Sequence, residues 1–407
     1  MVTTLGGPTE QERPVRSAAA IEAYFDSLGR GVEGAWAGYH NNEAHFPEVA
    51  TRVLAETPVP PDADAVGVLQ FLTSRHRLVP QEVYGFGEPP VTLYRGRDFR
   101  ISALYWLDGT TAIHQHSFSG AFRVLEGSSI HVVYGFSGEE AVTSRLLLGD
   151  LRFGAAELLR RGDVRAILAG DAFIHALFHL DRPSVTIVVR TNHQEETGPQ
   201  FQYLRPGVAF DPFFEDETLD RQLRGLTTLN QFAPEEALRC AREMISAADL
   251  FAGFWVTQHW LTLDRSGRAD EVVEHLVRRH GSIGDILRRV FAEKRRQYGI
   301  IIRRRLVQDA MHRLFLALIL NLPDRASVDA ILKCMFPAED PASLLARWVE
   351  ELNSPALRGI SGLRLTNEEL SAFRSALHNA GNDPSSAPLE TLRSKIQSTP
   401  LLEALLR

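Results

Sequence analysis

Cysteine is scarce in this chain, and its scarcity excludes one class of protein. Only Cys240 and Cys334 occur among 407 residues, too few for the disulfide framework that many small secreted domains need. We therefore expect a reducing compartment, the cytoplasm. Cys240 falls within a helical pattern, where we expect it to act as a small apolar residue.

Long apolar runs and an excess of basic charge are also missing. The longest apolar stretch covers residues 314–320, far short of the roughly 20 residues that a membrane-spanning helix needs. The polar first 16 residues lack the apolar core of a secretory signal. The formal net charge of −7 gives no general attraction to nucleic acid or to anionic lipid. We expect neither as a partner.

The chain divides into successive segments with different sequence patterns. Residues 1–16 are predicted to be disordered and residues 17–80 to form an N-terminal helical segment. Residues 81–206 contain about ten short runs of β-branched and aromatic residues, separated by Gly, Asp and Ser, which predicts an antiparallel sandwich or barrel. Residues 215–407 carry apolar residues at helical spacing. The fold class is therefore α+β, with an all-α C-terminal domain.

Histidines in the β-rich segment are the strongest functional signal. His114 and His116 lie two positions apart on a predicted strand, so their side chains point to the same face. His175, on a later strand, would complete a facial three-nitrogen set. Three protein ligands with open positions are typical of a catalytic metal site rather than a closed structural one. The alternative is a set of histidines with ordinary core or surface roles.

The pattern around these histidines resembles the cupin superfamily. Gly109, His114, His116 and Gly127 match its first motif, and Gly170 and His175 match its second. The acidic ligand of that motif would fall near Gly120 or Ala121, and neither side chain binds metal. A missing carboxylate resembles the thiol dioxygenase branch, whose members include the cysteine dioxygenases and which holds Fe(II) with three histidines. The resemblance covers residues 80–205.

This resemblance implies a cupin-type barrel at residues 81–206 and a non-heme iron dioxygenase. A thiolate substrate would bind the metal in place of the carboxylate, and O₂ would be the co-substrate. Arg95 would bind the substrate carboxylate, Tyr203 would donate a hydroxyl at the barrel mouth, and His179 would support the ligands. An exposed arginine, a packing tyrosine and a buried non-ligating histidine are the alternatives. His131 and His193 are interpreted as ordinary histidines.

The helical half adds a partner hypothesis and a basic cluster. It predicts a larger substrate than a free amino-acid thiol, such as a peptide, or a homodimer formed through residues 215–407. Basic residues concentrate between positions 288 and 305, where they would bind RNA, phosphate or an acidic peptide, or pair with acids elsewhere. Two further functions stay open: a cupin-like ligand-binding or regulatory module, and a Zn or Ni cupin that isomerises or hydrolyses.

Overall fold

The computed structural model describes residues 18–74, 78–81, 86–107, 112–192, 198–264, 267–378 and 401–406. It confirms the predicted α+β class, with N-terminal helices, a closed antiparallel barrel and C-terminal helices in that order. The N-terminal helices are α1 (Ala18–Ala37), α2 (Phe46–Glu56) and α3 (Ala65–Ser74). A 3-10 turn, Glu43–His45, precedes α2.

The β-region contains eleven strands in the described part of the chain. They are β1 (Pro90–Arg95), β2 (Phe99–Trp106), β3 (Ile113–His116), β4 (Gly120–Glu126), β5 (Ser128–Thr143), β6 (Leu146–Arg160), β7 (Val164–Ile167), β8 (Gly170–His179), β9 (Ser184–Thr191), β10 (Gln202–Leu204) and β11 (Val208–Phe210). One sheet has the order β1-β2-β9-β4-β7, and the closed barrel has the order β10-β11-β6-β5-β8-β3.

Ten helices of the C-terminal domain are described. They are α4 (Glu217–Phe232), α5 (Pro234–Ala247), α6 (Leu250–Leu263), α7 (Ala269–His280), α8 (Gly284–Leu306), α9 (Ala310–Asn321), α10 (Arg325–Met335), α11 (Pro341–Leu352), α12 (Arg358–Ser361) and α13 (Asn367–His378). Two 3-10 turns, Gly281–Ile283 and Glu403–Leu405, complete the domain. No helix in the described residues is long and apolar enough to cross a membrane.

Alternation along the strands separates an inner face from an outer face. On β9, Val185, Ile187 and Val189 are buried in one core with α1, α2 and α3. The residues between them, Thr186, Val188 and Arg190, line an internal cavity. This period of two is what a strand imposes on its side chains. The N-terminal helices therefore cover the outside of the five-stranded sheet and leave its inside to the cavity.

The C-terminal helices cover the other sheet in the same way. Outward residues of β5 and β8, such as Ile130 and Ile174, share a core with α9 and α11. At the far end, Phe210 of β11 contacts Phe254 and Trp255 of α6, each with ring centroids 5.5 Å apart. The aromatic residues of α6 thus pack at the boundary between the barrel and the helical domain, where such rings bury much apolar area.

The structure differs from the predicted elements in three places. The sequence pattern predicts two short strands at residues 145–153 and 156–159, but β6 is one strand of 15 residues. Beyond residue 206, β11 pairs with both β10 and β6, so the barrel extends past the predicted boundary. The apolar spacing of residues 304–320 predicts one helix, but the helix is interrupted before α9, where the Asp309 side chain accepts hydrogen bonds from the backbone N–H groups of Met311 and His312. An acceptor at this position caps a new helix.

Several parts of the predicted pattern lie outside the described residues: the disordered segment 1–16, Gly109 of the first motif, His193, and residues 389–396, whose apolar spacing predicts a helix. Both cysteines are free thiols; Cys240 is half-buried in α5 and Cys334 is exposed in α10.

Candidate metal centre

Two paired strands bring the three predicted histidines together. β3 runs antiparallel to β8, and His114 lies directly opposite His175 in the register. His116 follows on the same face of β3, and all three side chains are buried. One nitrogen from each ring lies within 4.8 Å of the others, and Nε2 of His116 is 2.9 Å from Nε2 of His175. The described residues contain no other such cluster of histidine, cysteine and carboxylate groups.

The backbone sets the tautomer of His114. Its Nδ1 lies 2.8 Å from the carbonyl oxygen of Ala112, which only accepts hydrogen bonds, so Nδ1 carries the proton. Nε2 is then unprotonated and presents a lone pair to the other two histidines. Burial lowers the pKa of His114 to about 4, and the Ala112 carbonyl opposes that shift in part. His114 is therefore neutral at physiological pH, the form that binds metal.

A hydrogen-bonded chain sets the tautomer of His175. Arg165 donates to Glu157, and this hydrogen bond is the main reason that the pKa of Glu157 is lowered to about 2. The carboxylate accepts from Nδ1 of His131 at 2.9 Å. Nε2 of His131 is then an acceptor, 3.1 Å from Nδ1 of His175. His175 carries its proton on Nδ1 and points a bare Nε2 at His116.

Hydrogen bonding within the described residues leaves His116 incompletely satisfied. Among the described residues, no group hydrogen-bonds its buried Nδ1. If its proton is on Nδ1, that donor is unsatisfied and two Nε2 lone pairs face each other. If its proton is on Nε2, the buried Nδ1 acceptor is unsatisfied, which costs about 1–3 kcal/mol. A cation held by both Nε2 atoms removes the lone-pair conflict.

The donor set fits a transition metal. Two nitrogens bound to one metal at about 2.1 Å and roughly at right angles would lie about 3 Å apart, close to the 2.9 Å between His116 and His175. Burial holds the pKa values of both histidines well below the usual range. Three neutral imidazoles suit Fe, Zn, Cu and Ni rather than Mg or Ca. The three histidines could therefore hold a divalent transition metal.

The three histidines open onto a cavity of about 450 Å³ inside the barrel. Its walls are mostly apolar and include the rings of Phe86, Trp106, Phe118, Phe122 and Phe213. The remaining polar lining comes from Thr92, Ser102, Thr186, Arg190 and Gln200. A concave apolar site with a few convergent polar groups is typical of small-molecule binding.

Arg95 and Tyr203 lie away from this cavity. Arg95 is exposed at the end of β1, opposite Arg100 in the register, and lines neither the cavity nor its mouth. Tyr203 is buried on β10, where its hydroxyl donates to the Gln115 side chain and its ring packs in the core shared with the C-terminal helices. Burial raises the pKa of Tyr203, so the phenol stays protonated.

His179 is buried on β8 and is not one of the three clustered histidines. Its Nδ1 is 2.9 Å from Oγ of Ser129, and its ring stacks on Trp106 with centroids 4.7 Å apart. Burial lowers its pKa to about 3. His179 does not line the cavity, but Trp106 does, so its contact with the cavity is through that ring. His193 lies outside the described residues.

Two residues of the site are not predicted from the sequence. His131, predicted to be an ordinary histidine, forms a hydrogen bond with His175. Arg190, which no sequence motif marks, is the one arginine among the described residues that line the inner cavity. The available signal for both was alternation: His131 lies an even number of positions from Ser129, and Arg190 from Thr186, so each shares an inward face.

Three of the eight basic residues at 288–305 form ion pairs, and Arg303 and Arg304 have other contacts within the protein. Arg288 bonds Glu274 and Asp285, Arg295 bonds Asp270, and Arg296 bonds Glu293. Arg303 donates to the Ser361 carbonyl, and buried Arg304 lies over the Phe178 ring of the barrel. These contacts favour the interpretation that the cluster pairs with acids and packs α8 against its neighbours.

Comparison with known proteins finds similarity only to part of some solved structures. No protein-family model matches the sequence, and no curated protein is significantly similar to it. A cupin-2 domain protein from Shewanella frigidimarina is 13% identical, over 27% of this chain and 86% of that one, with a TM-score of 0.19.

Two further solved structures are similar to this chain at equally low identity. Hydroquinone 1,2-dioxygenase from Sphingomonas sp. TTNP3 is 12% identical, over 27% of this chain and 68% of that one, with a TM-score of 0.21. A cupin superfamily protein from Desulfitobacterium hafniense is 14% identical, over 29% and 98%, with a TM-score of 0.19. The closed barrel and the three buried histidines agree with the cupin resemblance of the sequence.

Proposed function

We propose that this protein is an Fe(II)-dependent cupin oxygenase that oxidises a thiol, or another small chelating anion, with O₂. One observation carries the proposal: three buried, neutral imidazoles present their nitrogens within 4.8 Å of one another at the wall of an apolar cavity. His114, His116 and His175 are the proposed ligands. Bound Fe(II) would supply the binding and activation of O₂ beside the substrate.

Charge supports an anionic substrate. Three neutral ligands leave the full charge of a divalent ion in an apolar cavity, where an unpaired charge is costly. None of the described residues that line the inner cavity is acidic. A substrate thiolate or carboxylate would compensate this charge, and metal binding deprotonates a coordinated thiol. The chain itself would hold the ligands neutral, exclude water with aromatic rings and orient the substrate.

Several parts of the sequence interpretation stay predictions. These are the substrate contacts of Arg95 and Tyr203, the supporting role of His179, dimer formation through the helical domain, and a cytoplasmic location. The site itself is the part on which the proposed chemistry depends.

The test is O₂ uptake by protein reconstituted anaerobically with iron. A panel of small thiols and thiol peptides would be compared in the unmodified protein, in His116→Ala and in His259→Ala. His259 lies on α6 and bonds Thr227, so it serves as a matched histidine control. We expect uptake that depends on one class of thiol, vanishes in His116→Ala and persists in His259→Ala.

Other outcomes favour the other functions. Uptake that persists in a folded His116→Ala variant would refute the proposal. Tight metal binding with turnover that does not need O₂ would favour a Zn or Ni isomerase or hydrolase. Ligand-dependent association without any turnover would favour a binding or regulatory module.

A further inference from the structure

An outer cavity of about 680 Å³ lies next to the metal-binding cavity. Four residues line both spaces, namely Phe118, Arg190, Gln200 and Phe213. They border both cavities, and we call them the neck. Arg190 is the charged residue of the neck.

The outer cavity is basic. Arg100, Arg145 and Arg190 line it, and Asp211 is the one acidic residue among its described lining residues. Asp211 already bonds Arg145 at 3.1 Å. A cavity lined by charges of one sign attracts ligands of the opposite sign. Arg190 also lines the inner cavity, so its guanidinium borders both spaces.

Arg190 is also held at a short distance from the ligand set. Its guanidinium lies over the Phe118 ring, 4.3 Å from the centroid, and the same ring lies 4.5 Å from the ring of His116. The guanidinium and the imidazole are therefore no farther apart than these two contacts together. One small molecule can reach a metal ion at His116 and the guanidinium of Arg190.

The size and lining of the inner cavity indicate what lies between those two ends. Its volume of about 450 Å³ falls in the range of roughly 300–1,000 Å³ typical of pockets for ring-sized organic ligands. Aromatic rings surround the histidines: Phe86 stacks on His114 with centroids 5.5 Å apart, and Phe86 meets Phe213 edge to face. Rings of this kind pack best against another ring or an apolar chain.

We propose that the inner cavity binds a ring-bearing organic carboxylate, with Arg190 binding the carboxylate at the neck and the ring lying among the aromatic walls. The metal would coordinate a donor atom of the same molecule. The planar guanidinium matches a carboxylate with two parallel hydrogen bonds. The inference rests on the proposed oxygenase function for the role of the metal, and it narrows the substrate to a class larger than a free amino-acid thiol.

Binding tests this inference independently of turnover. The probes are 3-phenylpropanoate, its amide 3-phenylpropanamide, and propanoate, which lacks the ring. Calorimetry on the full-length chain would measure each Kd, both metal-free and loaded with redox-inert Zn(II). We expect 3-phenylpropanoate to bind about tenfold or more tightly than either of the other probes, since a charge-assisted hydrogen bond and a buried ring each contribute that much. The acid should keep its advantage over the amide without metal.

Variants locate the carboxylate contact. In Arg190→Gln, 3-phenylpropanoate and 3-phenylpropanamide should bind with similar affinity. Both should still bind more tightly than propanoate. Arg190→Lys should keep a reduced preference for the acid, because lysine retains the positive charge but cannot form two parallel hydrogen bonds to a carboxylate. Arg97→Gln is the matched control, since Arg97 is 93% exposed in the turn after β1 and should change nothing.

Two results would overturn the inference. One is equal affinity of the unmodified protein for the acid and the amide, which needs no variant to fold. The other is loss of acid preference in Arg95→Gln with no loss in Arg190→Gln. Absence of O₂ uptake with intact acid-selective binding would instead count against the oxygenase function and leave the ligand class in place.

Discussion

The hydrogen bonds that run from Arg165 through Glu157 and His131 to His175 predict how strongly the three histidines would hold a metal. In His131→Phe, Nδ1–H of His175 would lose the acceptor that now lies 3.1 Å away. The proton would then no longer be confined to Nδ1, and Nε2 would no longer be fixed as a lone pair facing His116. Loss of such a supporting partner typically weakens metal binding by 10–100-fold.

The same magnitude follows from hydrogen-bond energetics. A tenfold loss of affinity corresponds to about 1.4 kcal/mol, so a 10–100-fold loss corresponds to about 1.4–2.8 kcal/mol. A buried donor that loses its acceptor costs about 1–3 kcal/mol, and His175 is buried. Both routes give the same range. His131→Gln should restore part of the affinity, because an amide oxygen can accept from Nδ1–H of His175.

Competition with a chromogenic chelator, under anaerobic conditions for Fe(II), would measure the metal Kd. His312→Phe is the matched control, since His312 is also buried and bonds a carboxylate, Glu351, at 2.7 Å, but lies in the helical domain. We expect its Kd to equal that of the unmodified protein. A folded His131→Phe variant with unchanged Kd, or an equal loss in His312→Phe, would refute the reasoning.

Two further predictions concern stability. In Gly120→Ala, the new Cβ would lie 2.1 Å from the Val189 carbonyl oxygen. Urea unfolding should therefore show that the free energy of unfolding is lower by about 1–3 kcal/mol. Gly135→Ala, which has open space at its Cβ, is the control and should show no such decrease. For the metal-free protein, His179 has a pKa of about 3 against an ordinary 6.5, so the unfolded state binds its proton first and the free energy of unfolding falls as pH drops below 6.5. One such histidine lowers the free energy of unfolding by about 2 kcal/mol between pH 6.5 and pH 5. His179→Asn should reduce the acid-induced decrease in the free energy of unfolding by that amount. An unchanged dependence of the unfolding free energy on pH would contradict the burial of His179.

The three proposed ligands could be predicted from local pattern, and their neighbours could not. His114 and His116 share a strand, so a period of two places them on one face. His131 reaches His175 because β5 pairs with β8, and it reaches Glu157 because it lies directly opposite that residue on β6. The register of long antiparallel strands with bulges depends on the whole barrel. No local signal in the sequence gives it.

The two arginines illustrate the same limit. Arg95 and Arg190 both lie near the end of a strand, and the sequence drew attention to Arg95 through a family resemblance. In the five-stranded sheet, Arg190 follows the inward residues Thr186 and Val188 and lines the cavity. Arg95 follows a bulge in β1 and is exposed. Which strand end meets the cavity depends on how the two sheets are staggered, and the sequence does not show that stagger.

The outer faces of the barrel explain why its interior can carry so many polar groups. The N-terminal helices bury one outer face, and the C-terminal helices bury the other. These two cores fix much of the strand register, because a slip by one position would expose every outward apolar side chain. The inward positions can therefore carry polar residues such as His114, His175 and Arg190 beside a smaller apolar cluster. The long helical domain, whatever else it binds, thus contributes to the site by holding β5 and β8 in the register on which the histidine cluster depends.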